Sequence, residues 1–311
     1  MSRKKGAPKA GTHFTRSQVL TVVAFAFILV CSLIMLGIDL SRSLFFRNVD
    51  RINLVFYDSR PVFYSLGATE AGNYAITFYP DLKTNVPGGY GYYRIGALGR
   101  LAELEKDPEI YLRAFSAITS TFTDYYFYQK GVGVFYGGPQ EVSSISKPKT
   151  IQLFTLEGNA SFFDRVYLAL LFNRIQPSTI HDIKNLPFER LKDDTILQKD
   201  NFLKRYIGLF YNKTYRRENS NVQILYTDKS SYITAETLSN ILNGNGIVVG
   251  DISRTEMNAG RCKVVEPEGT RTITGEKLAT FFDCEHTSGD TDIYDILLIM
   301  GDLEDRWSIR Q

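Results

Sequence analysis

The sequence predicts an α/β protein: an N-terminal transmembrane helix, a mixed α/β domain, and a small β-α-β-β-α-β domain after it. Three observations predict this. Val19 to Ile38 is an uncharged run of 20 residues, interrupted in polarity only by Thr21 and Ser32. Residues 51–218 intersperse β-rich runs with helical apolar periodicity, the pattern of an α/β unit. Residues 220–311 run strand, helix, strand and then repeat that order.

At about 1.5 Å rise per residue the apolar run covers the roughly 30 Å hydrocarbon layer of a bilayer. Arg3, Lys4, Lys5, Lys9 and Arg16 precede or open it with no acidic residue among them, so the positive-inside bias keeps residues 1–17 cytoplasmic and sends the rest outside. The expectation is a single-pass type II protein of the cell membrane with a signal anchor: tail 1–17, transmembrane helix 18–38, stalk 39–50. A cleaved signal peptide would carry a shorter apolar core, about 7 to 15 residues, and a small-x-small site. The GIDLSRSLFF that follows this run offers no Ala-x-Ala.

The chain carries 36 Lys and Arg against 34 Asp and Glu. With the five N-terminal cations set aside, 31 basic residues face those 34 acidic ones, a near-neutral ectodomain that argues against a nucleic-acid partner. The tail can touch acidic membrane lipid but is too short to fold as a DNA-binding module. The ectodomain is long enough for two cored domains, expected at 51–218 and 220–311.

The elements follow in order. INLVFY (52–57) and NYAITFY (73–79) read as two neighbouring strands separated by the turn-rich LGATEAGN. A helix follows Asp107-Pro108, with Asp as cap and Pro at the first helical position, and Tyr111, Ala114, Phe115 and Ile118 form its apolar face. TDYYFYQ (123–129) is a strand and GVGVFYGG its bent continuation; residues 139–150 read as a surface loop. Helical patterns cover 162–175 and 197–211. Past the polar RREN, the chain reads strand 221–226, helix 232–244 closed by Gly244, strand 246–252, strand 261–266, helix 274–282 and strand 293–301.

Cys31 falls in the span, leaving Cys262 and Cys284 as the external thiols. A helix packed on its own sheet can bring such positions within the roughly 4.4 to 6.8 Å Cα separation of a disulfide, and an oxidising exterior would favour the bond. Two separately buried thiols are the alternative.

The stretch FYPDLKTNVPGGYGYYRIG (78–96) raises the functional question, because it places an acid, two bases and a Pro-Gly turn close together. Asp81, Lys83 and Arg94 are the candidate phosphate contacts: a carboxylate can hold a divalent metal that bridges phosphate oxygens, and an arginine supplies a planar donor fork. The plainer reading is a solvated strand end. The tyrosines of GYGYYR and DYYFYQ could line a polyprenyl pocket or stack on sugars, or could be ordinary strand residues. His13, His181 and His286 show no metal spacing, no G-x-S-x-G or Walker loop occurs, and the sequons at Asn159 and Asn212 are patterns that arise by chance.

Several of these pieces resemble the LytR-CpsA-Psr (LCP) family of membrane-anchored cell-envelope proteins. Residues 47–130 are similar to the LCP catalytic domain in the order of VDRINLVFY, ITFYPD, the Pro-Gly loop, YYRIG, a helix and DYYFYQ. Residues from about 220 resemble the LytR C-terminal domain through AETLSNIL, GNGIVV, EKLATFF and the closing DILLIMGD. Against the family pattern, Tyr79-Pro80-Asp81 lacks an arginine between proline and aspartate, the first motif strand is missing, and residues 139–200 hold no arginine cluster. Arg47 and Asp50 stand near the family's strand-opening pair, with spacing one residue too long; a juxtamembrane charge pair is the other reading. The resemblance implies a bacterial envelope protein with a degenerate LCP-like domain, a pseudoenzyme that binds or scaffolds a cell-wall glycopolymer or polyprenyl lipid. The alternative it implies is an active phosphotransferase attaching undecaprenyl-pyrophosphate-linked glycopolymers to peptidoglycan, with Mg²⁺ at Asp81 and cations from Arg94 and Arg47. Transcriptional regulation, a third class, conflicts with the expected topology.

Overall fold

The computed structural model describes residues 16–47, 49–67, 72–131, 133–138, 147–184, 186–191, 194–257 and 260–310. It divides into two compact units, Met1–Asn48 and Val49–Gln311. The first contains α1 (Arg16–Ser41). Its Val23–Ser41 stretch has a mean hydropathy of 2.6 over its most apolar window and is the one helix among the described residues long and apolar enough to cross a membrane.

The second unit is mixed α/β. Its chain runs β1 (Arg51–Tyr57), β2 (Val62–Gly67), β3 (Asn73–Thr77), β4 (Leu82–Val86), β5 (Gly91–Arg94), α2 (Leu98–Glu105), α3 (Glu109–Thr119) and β6 (Tyr125–Tyr128). Then come α4 (Thr150–Thr155), β7 (Glu157–Gly158), α5 (Phe162–Arg174), β8 (Ile180–Asp182), β9 (Phe188–Leu191), β10 (Asp194–Leu197), α6 (Lys199–Tyr206) and α7 (Lys213–Glu218). The remainder is β11 (Asn221–Tyr226), α8 (Tyr232–Gly244), β12 (Val248–Arg254), β13 (Lys263–Glu266), α9 (Ile273–Phe282), β14 (Glu285–Ser288), β15 (Ile296–Ile299) and α10 (Leu303–Arg306).

A six-stranded sheet has the order β7-β6-β1-β2-β3-β8. The expected neighbours β1 and β3 are not adjacent: β2 lies between them and pairs antiparallel with both. Every residue of β1 is buried and β2 nearly so, which is why neither shows the in-out alternation that marks a half-exposed strand. Arg51 of β1 is among the buried residues. Its guanidinium donates to the carbonyls of Tyr211, Ser65 and Gly72 and to the Ser65 hydroxyl, four hydrogen bonds that compensate the burial of the charge. α3 opens one residue later than expected, at Glu109 with Pro108 as its N-cap, while Asp107 Oδ1 still accepts from the Glu109 N–H at 3.0 Å; the helix buries Ile110, Tyr111, Ala114, Phe115 and Ile118. GVGVFYGG forms no strand where it is described. Residues 139–146 of the expected loop lie outside the described residues, and 150–155 are helical. The helix expected over 197–211 is shorter and ends at Tyr206.

The opening stretch is a β-hairpin. β4 and β5 pair antiparallel with Lys83 opposite Arg94, inside a four-stranded sheet ordered β5-β4-β10-β9. Gly88 and Gly89 in its turn take φ of +101° and +76°, which L side chains rarely adopt. Both their N–H groups donate to the carbonyl of Ser308 at 2.9 Å, so residues from the far end of the described chain close this turn.

The third sheet has five strands, β12-β11-β15-β13-β14, one more than expected. β14 is the addition: its residues, EHTS, are polar and lie at the sheet edge, so no apolar run announces them. α8 and α9 bury Leu238, Ile241, Leu242, Leu278 and Phe282 in one core with Val222, Ile224, Val264 and Leu298. Burying each such side chain contributes about 1.5 to 3 kcal/mol. Phe122, which precedes β6, enters the same core. Gly244, the last residue of α8, lies so close to Ser120 that a Cβ would overlap the Ser120 carbonyl oxygen. Residue 219, where a domain boundary is expected, is the left-handed C-cap of α7, and residues on both sides of it belong to the same compact unit. Cys262 and Cys284 form a disulfide with a Cα separation of 4.9 Å; Cys284 lies between the α9 C-cap Asp283 and β14, and Cys262 directly precedes β13.

Candidate functional site

The hairpin builds one wall of a cleft. Tyr79 and Asp81 lie on the short connection from β3 to β4, Lys83 on β4, Arg94 at the end of β5, and Asp194 at the start of β10. These residues, with Tyr136, Gly138 and Thr195, line an open space of about 460 Å³. Tyr79, Tyr136 and Gly138 also line a second lobe of about 210 Å³, whose other walls include Arg60, Lys184 and Phe188.

Backbone contacts pin the segment that carries Tyr136. The Phe135 N–H donates to the Gly96 carbonyl at 2.9 Å, and Asp81 and Gly137 exchange two bonds: Asp81 N–H to the Gly137 carbonyl, and Gly137 N–H to Asp81 Oδ2. Arg94 lies over the Tyr136 ring at 4.9 Å, a cation–π contact that holds the exposed tyrosine at the rim.

The electrostatics of the larger lobe are balanced. Lys83 Nζ is 2.6 Å from Asp194 Oδ2, and Arg94 is 3.6 Å from Asp81 Oδ1. Two cations and two carboxylates therefore cancel to first order. In the smaller lobe Lys184 faces Asp182 at 3.7 Å, and burial holds the Asp182 carboxyl above its usual range, against the opposing pull of Lys184. Three polar atoms here are buried without a hydrogen-bond partner: Tyr79 Oη, Asp81 Oδ1 and Asp182 Oδ2. Burial pushes the Tyr79 phenol up to about 12, with Arg190 opposing and Asp81 adding to the rise. Tyr79 thus stays a neutral O–H donor at ordinary pH and can serve a phosphate or sugar oxygen.

Of the four predicted phosphate contacts, the fold brings Asp81, Lys83 and Arg94 to one cleft. Arg47 belongs to the N-terminal unit, where its backbone N–H donates to the Ser43 carbonyl. Asp50 caps a helix, accepting from the Lys213 N–H at 2.9 Å at the start of α7. Sequence reasoning passed over Tyr79, Tyr136 and Asp194. Tyr79 adjoins Pro80-Asp81 and could have been found, whereas Asp194 joins only through the β4–β10 pairing.

A resident magnesium ion does not fit these residues. Among the described residues no group of three or more His, Cys, Asp or Glu converges, and each cleft carboxylate already has a cation beside it, Asp81 the Arg94 guanidinium and Asp194 the Lys83 ammonium. The histidines have other surroundings: His181 packs on Tyr74, His286 Nε2 lies 2.5 Å from buried Glu266, and His13 lies outside the described residues. Both sequon asparagines are structural. Asn159 bonds the backbone of Tyr126 and Asp124, and Asn212 caps α7.

A separate cavity of about 340 Å³ lies beside α2 and α3, walled by Tyr111 and Tyr128 with Gly99, Ala102 and Pro108, and carries Lys106 and Lys130 in its lining. Tyr128 comes from DYYFYQ, so that tyrosine-rich piece does line a pocket. From GYGYYR, Tyr90 and Tyr93 pack on the core and Tyr92 is exposed.

No family profile and no curated protein sequence matches the chain. Among solved structures it is similar to TagT of B. subtilis, at 9% identity and a TM-score of 0.35, over 50% of this chain and 88% of that one. A second structure, described as the LytR-CPS2A-psr family protein YwtF (TagT) with bound octaprenyl pyrophosphate lipid, is similar at 10% identity and TM-score 0.35, over 50% of this chain and 87% of that one. B. subtilis TagV is similar at 9% identity and TM-score 0.36, over 51% of this chain and 95% of that one.

Proposed function

We propose that the chain is a type II membrane-anchored envelope protein of the LytR-CpsA-Psr kind, with a degenerate LCP-like domain at 51–218 and a LytR C-terminal-like domain at 220–311. Its folded part binds a polyprenyl-linked or glycopolymer phosphate at the Tyr79–Tyr136 cleft without transferring it. The basic residues ahead of α1 support the orientation, and the order of sequence pieces supports the class.

One observation carries the non-catalytic reading: both cations of the larger lobe are already matched by carboxylates, Lys83 by Asp194 and Arg94 by Asp81. Departure of a pyrophosphate leaving group needs donors aimed at the charge that develops, and losing one such donor commonly costs about 10²- to 10³-fold in rate. A charge-balanced cleft can still hold a ligand through Tyr79, Arg94 and aromatic faces.

The test incubates the full-length protein in detergent with a polyprenyl pyrophosphate and Mg²⁺, beside an Asp81→Ala, Arg94→Ala double variant. The expected result is lipid retained by the protein, less by the variant, with phosphate release at background. Release above background that the variant abolishes would establish the phosphotransferase reading in its place.

A further inference from the structure

α4 and α5 present an apolar face that the cleft does not use. Ile151 and Phe154 stand one turn apart on α4, and the Phe154 ring is 6.2 Å from that of Phe162 in the first turn of α5. Their exposures are 62%, 41% and 65%. A loosely attached helix does not explain this. Arg165 donates to the carbonyls of Leu153, Leu156 and Ala160, and Lys147 Nζ donates to the carbonyls of Phe172 and Ile175, so α4 is clamped to α5. Leu153 points inward and is fully buried, leaving Ile151 and Phe154 held outward.

Among the described residues the charge around this face is net positive. The segment KPKTIQLFTL (147–156) holds two lysines and no acid, and Lys149 is exposed at the N-cap of α4. The next acid, Glu157, is engaged by Lys130 at 3.0 Å, and Asp164 is buried in α5. A rigid isoleucine and two phenylalanines rimmed by lysine match a bilayer interface, where aromatic rings sit at headgroup depth and cations meet anionic lipid. Residues 42–50, which join α1 to β1, can reach at most about 30 Å, so a bilayer holding α1 is within range of the domain surface.

We propose that the Ile151–Phe154–Phe162 face docks on an anionic bilayer surface, a membrane contact of the folded domain additional to the anchor. It rests on the anchor reading only for proximity.

The test places the full-length chain in nanodiscs containing anionic lipid and shallow brominated lipids, with Phe162→Trp as reporter and Ile293→Trp, at a site 78% exposed, as reference. The native Trp307 is 2% exposed, and its signal is subtracted using the unsubstituted protein. Quenching of the Phe162→Trp signal should be at least about twofold that of the reference. It should fall to the reference when Ile151→Asp and Phe154→Asp are added, substitutions at exposed positions that leave the core intact, and should weaken in zwitterionic discs. Quenching equal to the reference, or unchanged by the aspartates, or equal in zwitterionic discs, overturns the proposal. If the chain fails to co-elute with the discs, the anchor reading fails by itself; the same comparison in anionic vesicles with brominated lipid then decides the face by the same criteria.

Discussion

Lys83 of β4 holds Asp194 of β10 at 2.6 Å across a parallel strand pair, so the amine nearest the candidate cleft is neutralised by a residue far along the chain. Asp194→Asn would release that ammonium while keeping the side-chain volume. Binding of inorganic pyrophosphate, followed by calorimetry at low salt, should tighten by about 3- to 10-fold, a coupling of the size expected for one partly exposed ion pair. Adding Lys83→Met should cancel the gain. No change in either variant would place the anion outside this lobe.

The Cys262–Cys284 bridge closes a loop with a sequence separation of 22. A loop of that length restricts the unfolded chain enough to contribute about 3 kcal/mol. The Cys262→Ala, Cys284→Ala double variant should lose about that much in denaturant unfolding, and the unsubstituted protein should lose a similar amount when reduced. Equal stability with and without reductant would contradict the bond.

Lys199 carries a stability signature with a definite sign. Burial lowers its amine to about 8 from 10.5, with Glu236 and Asp200 opposing, while Nζ donates to Thr237 Oγ1 at 3.0 Å. Below about pH 8 the amine is protonated in folded and unfolded chains alike, and the folded state bears the full burial penalty. Between about 8 and 10.5 the unfolded chain binds more protons, so stability should rise with pH through that window. Lys199→Met should stabilise the protein near neutral pH and flatten that rise, as read by unfolding at a series of pH values.

The legibility of the fold follows where side chains had to alternate. Strand 221–226 and helix 232–244 match β11 and α8 to the residue, because each keeps one face in the core and Gly244 marks the close approach to Ser120. β2 was hidden by burial on both faces, and β14 by its polar edge position. β4 does alternate, but Asn85, Pro87 and the two glycines made LKTNVPGG read as loop. At the site, Asp81, Lys83 and Arg94 were within reach because a hairpin is local. What decides their chemistry was not, since whether Lys83 is free or matched depends on Asp194, and a parallel pairing between distant strands leaves no short-range trace.

The carbonyl of Ser308 that closes the Gly88–Gly89 turn sets a timetable for biogenesis. A chain made from its N-terminus has the β4–β5 hairpin in place long before residue 308 emerges, and contacts of such long sequence separation form late. The cleft wall therefore waits, with its turn unsealed, until residue 308 has emerged. A ribosome stalled anywhere before residue 308 would leave the hairpin's turn N–H groups bonded to water, and a nascent chain of that length should be cut by proteases at this hairpin more readily than the finished fold.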